Sequence, residues 1–350
     1  MIKIQIALFI LLFQIIPLKS QTRITTDFKD YRFEMFNLKQ INKLDIRAQH
    51  AEVNLLNWDK DSVSVETTIE ILSNKPNLSK EMLDEVQIKI VTYSNTLQVK
   101  TTLSKDFNRT IPYKINYNIF FPKKLAVYLE NSHGIVNMAE ALGGVIAKIS
   151  YSDINIKSIK PLNDSINNKI DLVFCKGSIH HLGNANLTLQ NSVIKTIDAG
   201  DLQAQSSYST FSVEQLHSYT GNSNIDNLTL GPLKSISLKA LSSLVTMESF
   251  SDSAFLNFNK GKLNLLNSDS TFSELVIDNI ETETFIHLNN LTSYTINGEV
   301  TKGKFIHPQS ENLQIIQEEF KTSFSGDVGS NPQSNSKVII FNKNQNIEFK

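Results

Sequence analysis

The sequence predicts an all-β protein: a parallel β-solenoid, or β-helix, with irregular coils of about 19 residues, preceded by a small β-rich region with one short helix. Three observations carry that expectation. Apolar and polar residues alternate along most of the chain, the period-two pattern of strands with one buried face. Asn, Ser, Thr and Ile are abundant while Gly (13) and Pro (8) are sparse, so turn formers and β-formers dominate. One short phrase recurs from residue 123 onward: a small residue, any residue, an apolar residue, any residue, then usually another apolar one.

At 350 residues the chain is long enough for two ordinary domains or one long repetitive one. The formal net charge is −1, which gives no field for nucleic acid or an anionic membrane surface. The N-terminus has a basic start at Lys3, an apolar run over residues 4–16, a break at Pro17 and a small residue at Ser20, the pattern of a signal peptide over residues 1–20. The apolar run is shorter than the roughly 20 residues a membrane span needs. Nothing after it is long and apolar enough to span, so the mature chain is expected to be exported without a membrane anchor. Cys175 is the only cysteine, so no internal disulfide forms; its apolar surroundings predict a buried structural thiol. Export without disulfides suits a bacterial envelope.

Residues 21–122 read as the β-rich region. Leu44 and Ile46, Val53 and Leu55, and Val63 and Val65 alternate as strands, with the turn "NWDKDS" between two of them and Trp58 covering one end of a core. Residues 79–86 are expected to be helical, with Ser79 as N-cap and an apolar stripe of Met82, Leu83 and Val86. "QIKIVTYSNTLQVKTTL" and "IPYKINYNIFF" return to strands, and Pro122 closes the region.

Residues 123–350 read as the repeat domain with a C-terminal cap. The first apolar position of the phrase falls at Val136, Ile154, Ile179, Ile194, Phe211, Ile225, Val245 and Phe272. One coil cannot bury its own apolar face, so coil must stack on coil to make a continuous core. "AKISYSDINIKSI" (147–159) and "AQSSYSTFSVEQL" (204–216) are the clearest pair, which predicts that Tyr151 and Tyr208 stand on one edge, three coils apart. The uneven gaps leave a β-sandwich as the alternative. Asn131, Asn191, Asn222 and Asn267 are read as corner residues, the strand "KVIIFN" as part of the last coil or its cap, and the polar tail after it as a cover for the exposed edge.

Little chemistry is legible. His180 and His181 are adjacent on a strand and point to opposite faces, so they do not chelate one metal. His133 falls in a corner slot, and His50, His217, His287 and His307 lack metal spacing. Asp198 and Asp201 in "IDAGDLQ" are the nearest approach to a carboxylate pair and are read as a turn. No nucleophile elbow, Walker loop or dinucleotide fingerprint occurs. No catalytic, cofactor-binding or metal-binding residue is assigned, and no cofactor is expected.

The order of these pieces resembles a family of exported bacterial domains known as "putative adhesins". The opening strand–turn–strand is matched by Trp58, Asp59, Val63 and Val65. The "KINY" strand is matched by Lys114, Ile115, Asn116, Tyr117 and Pro122, and the "Y-G-x-I-x-I" coils most closely by residues 151–156. Ser152, Ser209, Ser243 and Ser270 replace the usual corner Gly, and His133 or Lys176 the Tyr before it. The resemblance implies a right-handed β-solenoid at the envelope of a Gram-negative bacterium, in the periplasm, at the cell surface or outside. It implies a non-catalytic adhesin-like or scaffold role, with a surface glycan or an envelope protein as partner. The alternative is a polysaccharide lyase or glycoside hydrolase on the same fold, which requires a groove with at least two carboxylates.

Overall fold

The computed structural model describes residues 28–73, 75–163, 166, 168–308, 310–331 and 335–349. The expected signal peptide lies outside the described residues. Among the described residues the protein is all-β with one α-helix, and the strands hydrogen-bond into one continuous system.

The N-terminal region holds β1 (Phe28–Asn37), β2 (Lys43–Asn57), β3 (Ser62–Ile71), α1 (Pro76–Asp84), β4 (Val86–Tyr93), β5 (Thr96–Leu103) and β6 (Tyr113–Phe121). β1 pairs antiparallel with β3 and β3 antiparallel with β6, while β4 and β5 form a hairpin. β5 and β6 run parallel to β2 along one of its edges. The expected alternation is present: Leu44, Ile46, Val53, Leu55, Val63 and Val65 are all buried. Trp58 is half-buried in the turn, donates from Nε1 to the Ser62 carbonyl at 2.7 Å and packs near Phe120.

The helix starts earlier than its expected span of 79–86. Pro76 occupies the first turn, where a missing N–H costs nothing, and Lys75 precedes it without a side-chain cap. Ser79 is therefore inside the helix, its hydroxyl donating back to the Lys75 carbonyl at 3.2 Å. Val86 opens β4 rather than closing the helix.

A run of parallel strands follows: β7 (Ala126–Ala141), β8 (Val145–Ile159), β9 (Asn168–Val173), β10 (Lys176–Leu182), β11 (Ala185–Gln190), β12 (Val193–Ser207), β13 (Thr210–Asn224), β14 (Asn227–Leu230), β15 (Leu233–Met247), β16 (Phe250–Leu265) and β17 (Glu274–Ile286). Each pairs in parallel with the next layer. The β-sandwich alternative is overturned, because an antiparallel sandwich would not give this ladder. β2 continues the stack backwards by pairing in parallel with β7.

The register corrects the expected spacing. Val136, Ile154, Gly177, Ile194, Phe211, Leu228, Val245 and Leu263 stand in one column. The middle coils repeat every 17 residues, with longer steps of 23 before them and 18 and 21 after. Ile179 belongs instead over Ile156, Ile225 is an exposed corner residue, and Phe272 lies outside the strands against Phe250. The reason is a change of parity inside each coil. In β8 the buried residues are Val145, Ala147 and Ile149, then Ser152, Ile154 and Ile156, then Ile159. A left-handed residue, Tyr151, turns the strand between the first two runs, so a single period-two count slips there.

The C-terminal end comprises β18 (Tyr294–Thr301), β19 (Phe305–Ile306), β20 (Leu313–Gln317), β21 (Lys321–Val328), β22 (Lys337–Lys343) and β23 (Ile347–Phe349). β22, the "KVIIFN" strand, inserts in parallel between β17 and β18, so the chain skips a layer and fills it last. β21 then pairs antiparallel with β18 and β20 with β21. The polar tail does not cover the edge as expected. It contains β23, whose Ile347 and Phe349 are buried against the stack, and the antiparallel strands form the end instead. The N-terminal end is built alike: β2 is flanked by β5 and β6 on one side and by β7 on the other, all later in sequence.

Candidate functional site

Two residues per coil define one edge of the stack. The first takes a positive φ: His50, His133, Tyr151, Phe174, Asn191, Tyr208, Ile225, Ser242, Lys260 and Glu281, all between 48° and 65°. None is glycine, although left-handed backbone favours it. The ladder registers on either side place these residues in one column, so Tyr151 and Tyr208 do share an edge three coils apart. Their side chains point outward. His50, His133, Tyr151 and Phe174 stack face to face, with centroids 4.7, 4.7 and 4.9 Å apart, close to the spacing of neighbouring strands. Tyr208 continues the column two layers later, is 57% exposed and has no ring partner among the described residues.

The second residue points inward. Ser152, Cys175, Ser192, Ser209, Asp226, Ser243 and Thr282 are all buried. The backbone ladder explains them. The N–H of Tyr208 donates one coil forward to the Asn224 carbonyl, while that of Thr210 donates one coil back to Ser192. The N–H between them has no carbonyl to reach, and a buried N–H needs a partner. A side-chain oxygen from the next coil supplies it: Ser192 Oγ accepts from Cys175 N at 3.0 Å, Ser209 Oγ from Ser192 N at 3.1 Å, Asp226 Oδ1 from Ser209 N at 2.8 Å and Ser243 Oγ from Asp226 N at 3.1 Å. The serine hydroxyls donate in turn to the carbonyl two residues before them. Asp226 also accepts from Ser206 Oγ at 2.6 Å, Ser223 Oγ at 2.7 Å and Asn224 N at 3.0 Å. Serine takes this slot for a physical reason at Ser192, Ser209 and Ser243, glycine holds it at Gly134 and Gly261, and Ser270 lies outside the column.

Cys175 occupies one slot of this ladder and is buried, as expected, with Sγ donating to the Ile149 carbonyl at 3.3 Å. Burial pushes its thiol pKa up. Of the expected corner asparagines, Asn191 is a corner residue. Asn131 is buried within β7, and Asn267 follows the end of β16. Asn222 lies on the outer face of β13.

That outer face, just before the corner, carries a groove. Gln205, Asn222, Lys239 and Asn257 stand in register on successive coils, and Ser207, Asn224, Leu241 and Asn259 run beside them. The groove encloses about 630 Å³. Lys239 is the only charged residue of its lining. Among the described residues the side chains of Gln190, Gln205, Asn222 and Lys239 have no hydrogen-bond or salt-bridge partner. Tyr208 directly follows Ser207 of the lining in sequence.

A second cavity of about 770 Å³ opens at the N-terminal end of the ring stack and is lined by His50, Glu52, Glu70, Arg109, Tyr113 and His133. Burial, then the neighbouring His133 and Arg109, hold His50 below the usual imidazole range. Glu70 pairs with Lys29 at 3.0 Å, and Glu52 accepts from Asn54 at 3.3 Å.

Asp198 and Asp201 lie within strand β12, not in a turn. They mark a second bend of the coil. Asp198 pairs with Lys160 and with Nδ1 of His181. Burial works to raise its carboxyl, and these two partners outweigh it, leaving it below the usual range. Asp201 accepts from Ser218 Oγ at 2.6 Å and lies 2.6 Å from Nδ1 of His217. Both partners bond the carboxylate rather than each other, so no hydroxyl is activated. Among the described residues no group of three or more His, Cys, Asp or Glu is placed to hold a metal, and no helix is long and apolar enough to cross a membrane.

No family model and no curated protein matches the chain. It is similar to several solved structures. One is described as a "putative cell adhesion protein" from Clostridium sporogenes, 10% identical, covering 92% of this chain and 100% of that one at a TM-score of 0.22. A "putative adhesin" from Parabacteroides distasonis is 12% identical, covering 71% and 91% at 0.33. A "putative lipid binding protein" from the same species is 11% identical, covering 92% and 97% at 0.30. The first two names match the resemblance drawn from the residues.

Proposed function

We infer that the protein is an exported, non-catalytic, adhesin-like binding protein of the Gram-negative envelope, a right-handed β-solenoid that presents one repetitive face to a surface glycan or envelope protein. The observation that carries this reading is the groove beside the corner. Its side chains stand in register, layer after layer, and among the described residues the amides of Gln190, Gln205 and Asn222 have no partner, while that of Asn257 bonds Asp278. Glycosidic cleavage calls for two carboxyl groups flanking the bond, whereas this groove offers amides, hydroxyls and one lysine. The right-handed sense is supported by the strong preference of parallel crossovers for that hand. Residues 1–20 act as the cleaved leader, residues 21–122 as the N-terminal cap of the stack, and residues 123–350 as the coils with their C-terminal cap.

The test is to incubate the mature chain with envelope polysaccharides and intact cells. Retention on the material without new reducing ends or unsaturated products is the expected result; turnover overturns the reading. The N-terminal cavity, with Glu52 and Glu70 beside Arg109 and His50, favours a second reading as a glycoside hydrolase. Under that reading Glu52→Gln and Glu70→Gln each abolish product formation.

A further inference from the structure

We propose that the groove over β12–β16 binds an extended acidic polysaccharide, with Lys239 holding a sugar carboxylate and Tyr208 stacking on a sugar ring. This deepens the binding reading above and rests on it.

Four observations converge. First, the floor repeats at the spacing of strands in a sheet, ~4.8 Å, which is close to the advance of one sugar ring along an extended chain. Gln205, Asn222, Lys239 and Asn257 thus meet successive sugars with one polar side chain each. Second, the amide groups of Gln205 and Asn222 have both donors and an acceptor to offer hydroxyls, and no partner within the described residues competes for them.

Third, the charge of the lining is one-sided. Lys239 is its single charged group, and no salt bridge neutralises it. Farther along the same columns, Asp278 stands beyond Asn257 and already accepts from it at 3.0 Å. A carboxylated ligand therefore has a cation to meet in the lining, while the nearby Asp226 carboxylate lies buried and bonded to Ser206 and Ser223. Fourth, Tyr208 is an outward, unstacked ring in a strained left-handed conformation with φ of 52°. The corner shares this conformation in layer after layer, and at Tyr208 it leaves the ring outward and exposed. An exposed ring presents an apolar face that suits the C–H face of a sugar.

The test uses the mature chain with a hexamer of a 1,4-linked uronic acid and with its carboxyl-reduced, neutral counterpart, measured by calorimetry. The acid is expected to bind about five- to tenfold more tightly than the neutral chain, in line with one desolvated ion pair, and to lose that advantage in high salt. Lys239→Gln should remove the preference for the acid over the neutral chain. Tyr208→Ala should weaken both ligands about tenfold, while Tyr208→Phe keeps them. Equal affinity for the two hexamers, or binding that ignores both substitutions, overturns the proposal while leaving a binding role elsewhere intact. Failure of the wild-type chain to bind either hexamer overturns the ligand class. Retention on envelope material tests the broader reading separately.

Discussion

Tyr208 and Ser209 are neighbours in sequence, yet they belong to two columns with opposite rules. The outer column is free to vary: imidazole, phenol, phenyl, amide, ammonium and carboxylate all occur, each in a left-handed conformation that glycine would occupy more easily. The inner column is more restricted. From Ser192 to Ser243 it puts an oxygen opposite one orphaned N–H per layer and uses Ser or Asp, whereas Ala51, Gly134, Cys175 and Gly261 hold other slots of the same column. Stability is set one residue away from where binding is displayed.

The comparison is broken most severely at Asp226. Asp226→Ala leaves two hydroxyls and two backbone N–H groups without their acceptor in a buried site, and is expected to cost about 3 kcal/mol or more in denaturant unfolding. A loss below half that value would mean that the inner ladder does not hold the coils together. In the outer column the sign reverses. Ile225 is β-branched, about half-exposed and left-handed with φ of 56°. Ile225→Asn should raise stability by about 1 kcal/mol, because asparagine tolerates that conformation. A drop in melting temperature would show that Ile225 packs more than its exposure suggests.

Two smaller effects sharpen the account. At the other bend, Glu140 bonds Lys123 at 2.7 Å and Lys157 at 3.0 Å, and those partners lower its carboxyl from 4.5 to about 2. A depressed acid stabilises the fold above its unfolded value and loses that contribution as pH falls through the folded one. Unfolding curves should thus weaken between about pH 4.5 and pH 2, and Glu140→Gln should flatten that part of the profile. Cys175, buried with a raised pKa, should not react with a thiol reagent in the native chain and should react fully in denaturant. Rapid native labelling would remove it from the inner column.

The sequence made the columns visible but not their spacing. Alternation and the Ser-rich phrase placed Ile154 and Phe211 in one column three layers apart, and the register agrees. It could not locate the left-handed residue, because His, Tyr, Phe, Ile and Lys carry no signal for that conformation. Without it Ile225 passed for a core residue and Leu228 was overlooked. The ends were harder still. Nothing in "KVIIFN" announces that it inserts between β17 and β18, since strand order is decided by which edges remain unfilled. The groove was illegible for a related reason. Gln205, Asn222, Lys239 and Asn257 share nothing in sequence until the coil length that aligns them is known.

The most direct measurement compares Tyr208→Ala with Ser209→Ala, recording unfolding free energy and uronate-hexamer affinity for each. Ser209→Ala should lose about 1–2 kcal/mol, because Ser192 N is left unpaired, and keep its affinity. Tyr208→Ala should keep its stability and lose affinity about tenfold. If the two substitutions exchange these effects, or if each changes both quantities alike, the two columns are not the separate devices described here.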